Sequence, residues 1–172
     1  MFSSLKNKPF FKKAAFLALA LFLSAGLLFI SCSDNEVEGA GSIPVGNWAS
    51  AYNEGYKITK STIDQWGDAS DYGPASSTKG TISENVTFTS NSGVLIVKVT
   101  SDVSQYHNIP AGKFIGVYYK DVTASHAFLA TAIDASYATI VKDTLAEAKS
   151  TFTVDNVGTH VTMWGSGYDK KN

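Results

Sequence analysis

The sequence predicts an all-β domain, an up-and-down antiparallel β-barrel of about eight strands with one late α-helix. Short segments rich in β-branched and aromatic residues are separated by Gly, Asn, Asp and Ser. The turns between them are short, so consecutive strands are expected to be antiparallel neighbours. Closure removes the exposed edges that an open sheet would present. A β-sandwich is the alternative architecture, and the near absence of long crossover connections counts against it.

The first half of the domain contains five predicted strands, at 47–52, 56–59, 62–66, 79–89 and 94–99. In the first of them Trp48 and Tyr52 share one face. The segment 68–77 contains glycine and proline and predicts a loop. Glu84 is the one acid on a predicted apolar face, which indicates a strand bulge, an error of register or a functional buried acid. The last of these strands is apolar on both faces, so we expect it to be central.

The second half begins with a predicted loop at 101–112 and two strands at 113–120 and 125–133. The only helical pattern covers 144–153, where Thr144 and Glu147 have the spacing of a capping box. Apolar residues at helical spacing follow the cap. The segment 159–164 alternates again and predicts the last strand.

The chain before this domain has the parts of an export signal. Residues 1–31 contain a lysine-rich start, an apolar run from Ala14 to Ile30 and the small residue Ser31. Cys32, the only cysteine, follows at once and is predicted to be the site of lipid attachment. Residues 32–42 are small and acidic and predict a flexible tether, so the barrel domain covers 43–172. The alternative is an uncleaved signal anchor, which leaves Cys32 unexplained.

Charge restricts the partners of the mature chain. Four of the 14 basic residues lie in the signal, so ten lysines remain against 15 carboxylates, and no arginine is present. A net negative chain without arginine has no electrostatic footprint for nucleic acid. No second long apolar run follows Cys32. We therefore expect the membrane to be the partner through acyl (palmitate-type) chains on Cys32, each buried methylene contributing about 0.8 kcal/mol.

The segment Gly46-Asn47-Trp48 resembles the Gly-x-Trp motif of lipocalins. The resemblance implies a calycin-like barrel in which Trp48 is the structural plug at the base, with the late helix packed outside. The chain departs from that family because it has no arginine to lie across the tryptophan. Lys170 or Lys171 would be its substitute.

More of the chain resembles small lipoproteins of spirochaetes, treponemes in particular. The similar stretches are Gly46–Trp48, 80–82, 117–120 and 144–149. Phe29 and Ile30 depart from the usual lipobox, and spirochaetal lipoproteins tolerate such bulky residues. The resemblance implies a bacterial cell-envelope location with a lipid anchor, in the outer membrane rather than the inner one. It implies no activity.

No catalytic constellation or metal-ligand spacing is found. His107, His126 and His160 are far apart in the sequence, and Gly165-Ser166-Gly167 lacks the spacing of a nucleophile elbow. We therefore predict a protein that is not an enzyme and needs no cofactor or metal.

Two function classes remain. The first is a binding protein with a small apolar or amphipathic ligand inside the barrel, lined by Tyr52, Tyr118 and Phe128. Space for the ligand would come from small residues on two neighbouring strands: Gly116, Ala130 and Ala132. The second is a surface interaction module of adhesin or protease-inhibitor type, with a filled barrel. Its loops 68–77 and 101–112 would contact an envelope or host protein.

Overall fold

The computed structural model describes residues 43–52, 54–67, 77–103, 108–162, 164 and 167–171. The predicted signal, Cys32 and the tether lie outside the described residues, as do His107 and most of loop 68–77. Within the described ranges, no helix is long and apolar enough to cross a bilayer.

Eight strands form one closed barrel in which each strand is antiparallel to the next and the last pairs with the first. This confirms the predicted fold class. The strands are β1 Gly46–Ala49, β2 Gly55–Ile58, β3 Thr62–Trp66, β4 Ser77–Thr89, β5 Ser92–Asp102, β6 Phe114–Lys120, β7 His126–Thr131 and β8 Tyr168–Lys171.

Two helical segments connect β7 to β8: α1 Leu145–Thr151 and the single turn α2 Val157–His160. The predicted capping box starts α1. The Thr144 hydroxyl accepts the backbone N–H of Glu147 at 3.2 Å, and the Glu147 carboxylate accepts the backbone N–H of Thr144 at 3.0 Å. These two bonds satisfy backbone donors that the helix itself leaves unpaired.

The prediction of a last strand at 159–164 is wrong. Residues Val157–His160 are helical, and the strand that closes the barrel is Tyr168–Lys171. The β-branched residues of 159–164 favour a strand, but Val161 and Trp164 pack outside the barrel with α1. The closing strand was missed because three of its four residues are polar and exposed. This strand is stabilised by its backbone pairing with β1 and β7 rather than by burial of apolar side chains.

The apolar side chains form two clusters, one on each face of the barrel wall. Strand β5 contributes to both, as its two apolar faces predict: Leu95 and Val97 point inward, whereas Val94 and Ile96 lie under α1. The inner cluster draws residues from all eight strands. Its buried members are Trp48, Tyr56, Ile58, Ile63, Leu95, Val97, Val99, Ile109, Ile115, Val117, Tyr119, Ala127 and Leu129.

A β-bulge in β4 explains Glu84. The register with β5 shifts between Ile82 and Glu84, so Ile82 packs inside while Val86 joins the outer cluster. Glu84 lies on the outer face and its carboxylate is 2.8 Å from Lys149 Nζ on α1. Glu84 therefore forms a salt bridge that links the barrel wall to α1.

The two ends of the barrel differ. The connections 59–61, 90–91 and 121–125 are short and lie at the end where the chain enters β1. Strands β1, β3, β5 and β7 end at the opposite end of the barrel, where the connections 50–54, 67–76, 103–113 and 132–167 begin.

Candidate functional site

Trp48 is buried inside the barrel near the point where the chain enters β1, with 1% of its surface exposed. Its Nε1–H donates to the carbonyl oxygen of Pro44 at 2.7 Å, so its polar tip is satisfied. Lys170 Nζ lies 5.6 Å from the centre of the ring. A Cβ on Gly46 would meet Lys170 Cε at 2.8 Å and Trp48 Nε1 at 3.2 Å, so a larger residue there would have to displace the lysine side chain from the ring. The plug role of Trp48 stays a prediction with which this burial is compatible, and of the two lysines named as substitutes for an arginine it is Lys170 that lies over the ring.

The inner face also contains a short polar network. The hydroxyls of Tyr56 and Thr131 are 3.3 Å apart, and Thr131 Oγ1 donates to Gln65 Oε1 at 2.8 Å. The ring of Tyr168 packs edge-on against Tyr56 at 5.2 Å. Burial raises the pKa of Tyr56 to about 12 and also raises that of Tyr168. Both phenols therefore remain neutral hydrogen-bonding groups at ordinary pH.

The described part of the interior is occupied by large side chains. Trp48, Tyr56 and Tyr119 all point inward and are at most 3% exposed. The Tyr119 hydroxyl donates to Asn85 Oδ1 at 2.8 Å. An eight-stranded barrel is just wide enough to be filled by side chains or to hold one small ligand. The described inward-facing aromatics fill the part of the interior that they reach.

The three residues predicted to line an interior pocket are not inside the barrel. Tyr52 lies in the turn after β1 and is 72% exposed, because β1 ends at Ala49. Tyr118 belongs to the outer cluster. Phe128 is directly paired with Lys120 across β6 and β7, and both lie on the outer face. The predicted placement is therefore wrong for all three, and the structure does not bring them together.

The small residues expected to leave interior space also lie on the outer face. Ala130 is directly paired with Tyr118, and Ala132 belongs to the same outer cluster. A Cβ on Gly116 would meet ring atoms of Phe152 at 2.7 Å. The prediction that the small and aromatic residues share one face is right. That face is the outer one, and the C-terminal helices pack against it.

The same face contains a groove of about 290 Å³ between the barrel wall and the segment 152–164. We call it the outer groove. Tyr118 forms its buried base, and Val154, 57% exposed, is at its surface. Its lining residues are Phe88, Thr89, Ser92, Gly93, Tyr118, Tyr119, Lys120, Val154, Val157 and Trp164.

The polar tip of Tyr118 is directed away from solvent. Its hydroxyl is 3.3 Å from the carbonyl oxygen of Thr153, to which it donates, and 3.2 Å from His160 Nδ1. Burial raises the pKa of Tyr118 to about 12. Burial and the nearby charge of Lys142 lower the pKa of His160. The pair therefore fixes α2 against the wall as neutral groups.

One cation lies in the lining of the outer groove. Lys120 Nζ is 4.6 Å from the centre of the Trp164 ring and 5.2 Å from that of Phe128. Two aromatic faces therefore hold the ammonium group in place by cation–π attraction. Across the described ranges, no carboxylate forms a salt bridge with Lys120.

The other described histidine, His126, is 3.1 Å from Asp169 Oδ1 through its Nδ1. It lies on β7, whereas His160 lies on α2 and contacts the Tyr118 hydroxyl. Among the residues that the structure describes, no group of three or more His, Cys, Asp or Glu side chains could hold a metal ion.

Comparison with protein-family models, with curated proteins and with solved structures gives no match to any of the three.

Sequence reasoning missed most of the outer groove. Tyr118 was singled out, but Phe88, Lys120 and Val157 were not considered as site residues. The signal that was available is the outward face of β6, where Gly116, Tyr118 and Lys120 alternate with the inward residues. That face is covered by residues of the C-terminal segment, such as Phe152 and Val157. The periodicity along one strand cannot reveal a contact with residues so distant in the sequence.

Proposed function

We propose that this chain is a lipid-anchored protein of the bacterial cell envelope that binds a small apolar or amphipathic ligand in the outer groove. The eight-stranded barrel is compatible with ligand binding. The observation that carries the proposal is the apolar groove itself, next to an interior whose described side chains are closely packed.

The groove has the chemistry of a small-molecule site. Its lining combines aromatic and aliphatic side chains with a few polar groups, and its volume of about 290 Å³ is at the lower end of the usual range. Phe88, Val157 and Trp164 are only partly buried. Covering these surfaces with a ligand would remove apolar area from water, which stabilises the complex by about 25 cal/mol per Å².

The lipid anchor rests on sequence. Cys32 follows the apolar run and Ser31, and ten residues separate it from Ile43, where the described domain begins. An exported chain with a single cysteine has no disulfide partner within itself, so acylation explains the residue better than redox chemistry. The anchor would keep the barrel at a membrane surface, where apolar ligands are concentrated.

A titration of residues 43–172 with N-phenyl-1-naphthylamine, a neutral apolar fluorophore, tests ligand binding. We expect micromolar affinity and a blue-shifted emission. The variant Val154→Trp should fill the groove and weaken binding about tenfold or more. Val103→Trp changes a valine of similar exposure, 55%, that is not a groove residue, and should leave affinity unchanged. Equal affinity of the two variants, or no binding at all, would refute the outer groove as the site.

The second candidate function is the surface interaction module. It is favoured by the topology: β3, β5 and β7 end at the end of the barrel opposite the start of β1, and the connections that leave them are the three longest. If the fluorophore does not bind, this function becomes the better account, and replacing 67–76 with a short Gly-Ser turn should abolish contact with the partner while the domain stays folded.

A further inference from the structure

Lys120 occupies an unusual position for a lysine in a mostly apolar lining. Its Nζ lies between the rings of Phe128 and Trp164, and in the described part of the chain no carboxylate neutralises it. A lysine ammonium group has three N–H donors. Aromatic faces attract the charge but accept no full hydrogen bond from it, so the group retains the capacity to bind an anion.

The other polar side chains of the lining already have hydrogen-bond partners. The Thr89 and Ser92 hydroxyls are 2.6 Å apart and bond to each other. The Tyr118 hydroxyl is bound to Thr153 and His160 beneath the groove, and that of Tyr119 to Asn85 inside the barrel. Lys120 is the one charged residue of the lining. The polar part of an amphipathic ligand therefore has one strong partner, and it is cationic.

We infer that the outer groove selects a single-chain aliphatic amphiphile with an anionic head, with the chain along Phe88, Val157 and Trp164 and the head at Lys120. This inference rests on the proposed function and names its ligand class. The small volume suits one chain rather than a two-chain lipid. Two carboxylates adjoin the groove in sequence, Asp121 and Asp155, but neither is paired with Lys120. An anionic head group at Lys120 would therefore find a cation that has no salt-bridge partner among the described residues. A cationic head group would be repelled by the charge of Lys120.

Competition against bound N-phenyl-1-naphthylamine tests the head group separately from the chain. Decanoate, decyl sulfate, 1-decanol and decyltrimethylammonium share a ten-carbon chain and differ in charge, and each is used below its micellar concentration. Residues 43–172 should release the fluorophore to either anion at a concentration about tenfold lower than to the alcohol, and to the cation last. If decanoate and decyl sulfate compete equally well, the groove selects the head group by its negative charge. If only decanoate is preferred to the alcohol, the groove selects carboxylates.

Two lysine variants complete the test. Lys120→Met keeps the aliphatic stem and removes the charge, so the preference for anions over decanol should disappear while the neutral fluorophore still binds. Lys98→Met removes a lysine that is exposed and lies outside the groove, and should retain the preference. Equal competition by all four amphiphiles in the unaltered domain would overturn the inference and leave the proposed function standing. If the fluorophore does not bind at all, both the proposed ligand binding and the inferred preference for anions are refuted.

Discussion

The ring of Phe152 lies directly on the backbone of Gly116, so closely that a Cβ at that glycine would be 2.7 Å from the ring atoms Cγ and Cδ1. Phe152 follows α1 and is fully buried, and Gly116 is in the middle of β6. Because a side chain at 116 would displace the ring, this contact sets how close the C-terminal segment comes to the barrel. The outer groove is lined further along the same strand by Tyr118 and Lys120.

Gly116→Ala should therefore destabilise the domain by about 1–3 kcal/mol, since over-packing of a close contact forces a shift of ring or strand. Gly158→Ala is the matched control, because a Cβ there meets nothing within 4 Å. Chemical denaturation followed by tryptophan fluorescence measures both. A Gly116→Ala domain as stable as the control would show that the helical segment is not seated as described.

Much of the barrel could be predicted because its strands are specified locally. Strand β3 matches its predicted range, and both faces of β5 are buried, as its two apolar faces predict. The capping box of α1 is equally local. The last strand could not be predicted in this way, because Tyr168–Lys171 is short and polar and is held by β1 and β7.

The site was harder to predict because it depends on which face points inward. The alternation in β6 correctly grouped Gly116 with Tyr118, but the sequence contains nothing that tells the inner face from one covered by a helix. Both faces are apolar here, and the choice is made by closure of the barrel around Trp48 and by the bulge before Glu84. The outer groove follows from this choice.

Trp48→Ala should cost about 3–5 kcal/mol of unfolding free energy, because it leaves a cavity at the base of the barrel. Trp48→Phe fills most of that space but leaves the Pro44 carbonyl without its donor at 2.7 Å, and should cost less. A loss below about 1 kcal/mol for the alanine variant would mean that the ring does not plug the barrel.

Lys170→Met tests the lysine that lies over Trp48. Because the ammonium group is partly solvated, its attraction to the ring should contribute only about 0.5–1 kcal/mol. Lys171→Met removes the adjacent exposed lysine, which should have no measurable effect. Equal urea midpoints for the two variants would show that Lys170 is not the functional substitute for an arginine.

Cys32 should be the first residue of the mature protein and should be acylated. Mass spectrometry of the membrane fraction should find a lipid-modified peptide that begins at Cys32, and Cys32→Ala should either release the protein or leave it as an unprocessed precursor. Recovery of a mature chain that still contains Met1 to Ile30 would contradict lipidation and would favour the uncleaved signal anchor.

The stability of the domain should fall in alkaline solution because of its buried tyrosines. Burial raises the pKa of Tyr56 and Tyr118 from 10.0 to about 12, so between these values the unfolded chain releases protons that the folded domain retains. The contribution of the neutral phenols is complete below pH 10 and is lost as the pH rises toward 12. Urea midpoints measured from pH 8 to pH 11 should therefore decrease above pH 10. Tyr56→Phe should lower stability at pH 8, because Thr131 loses a partner, but should make the alkaline decrease shallower. An unchanged slope in that variant would show that Tyr56 ionises as freely in the folded domain as in the unfolded chain.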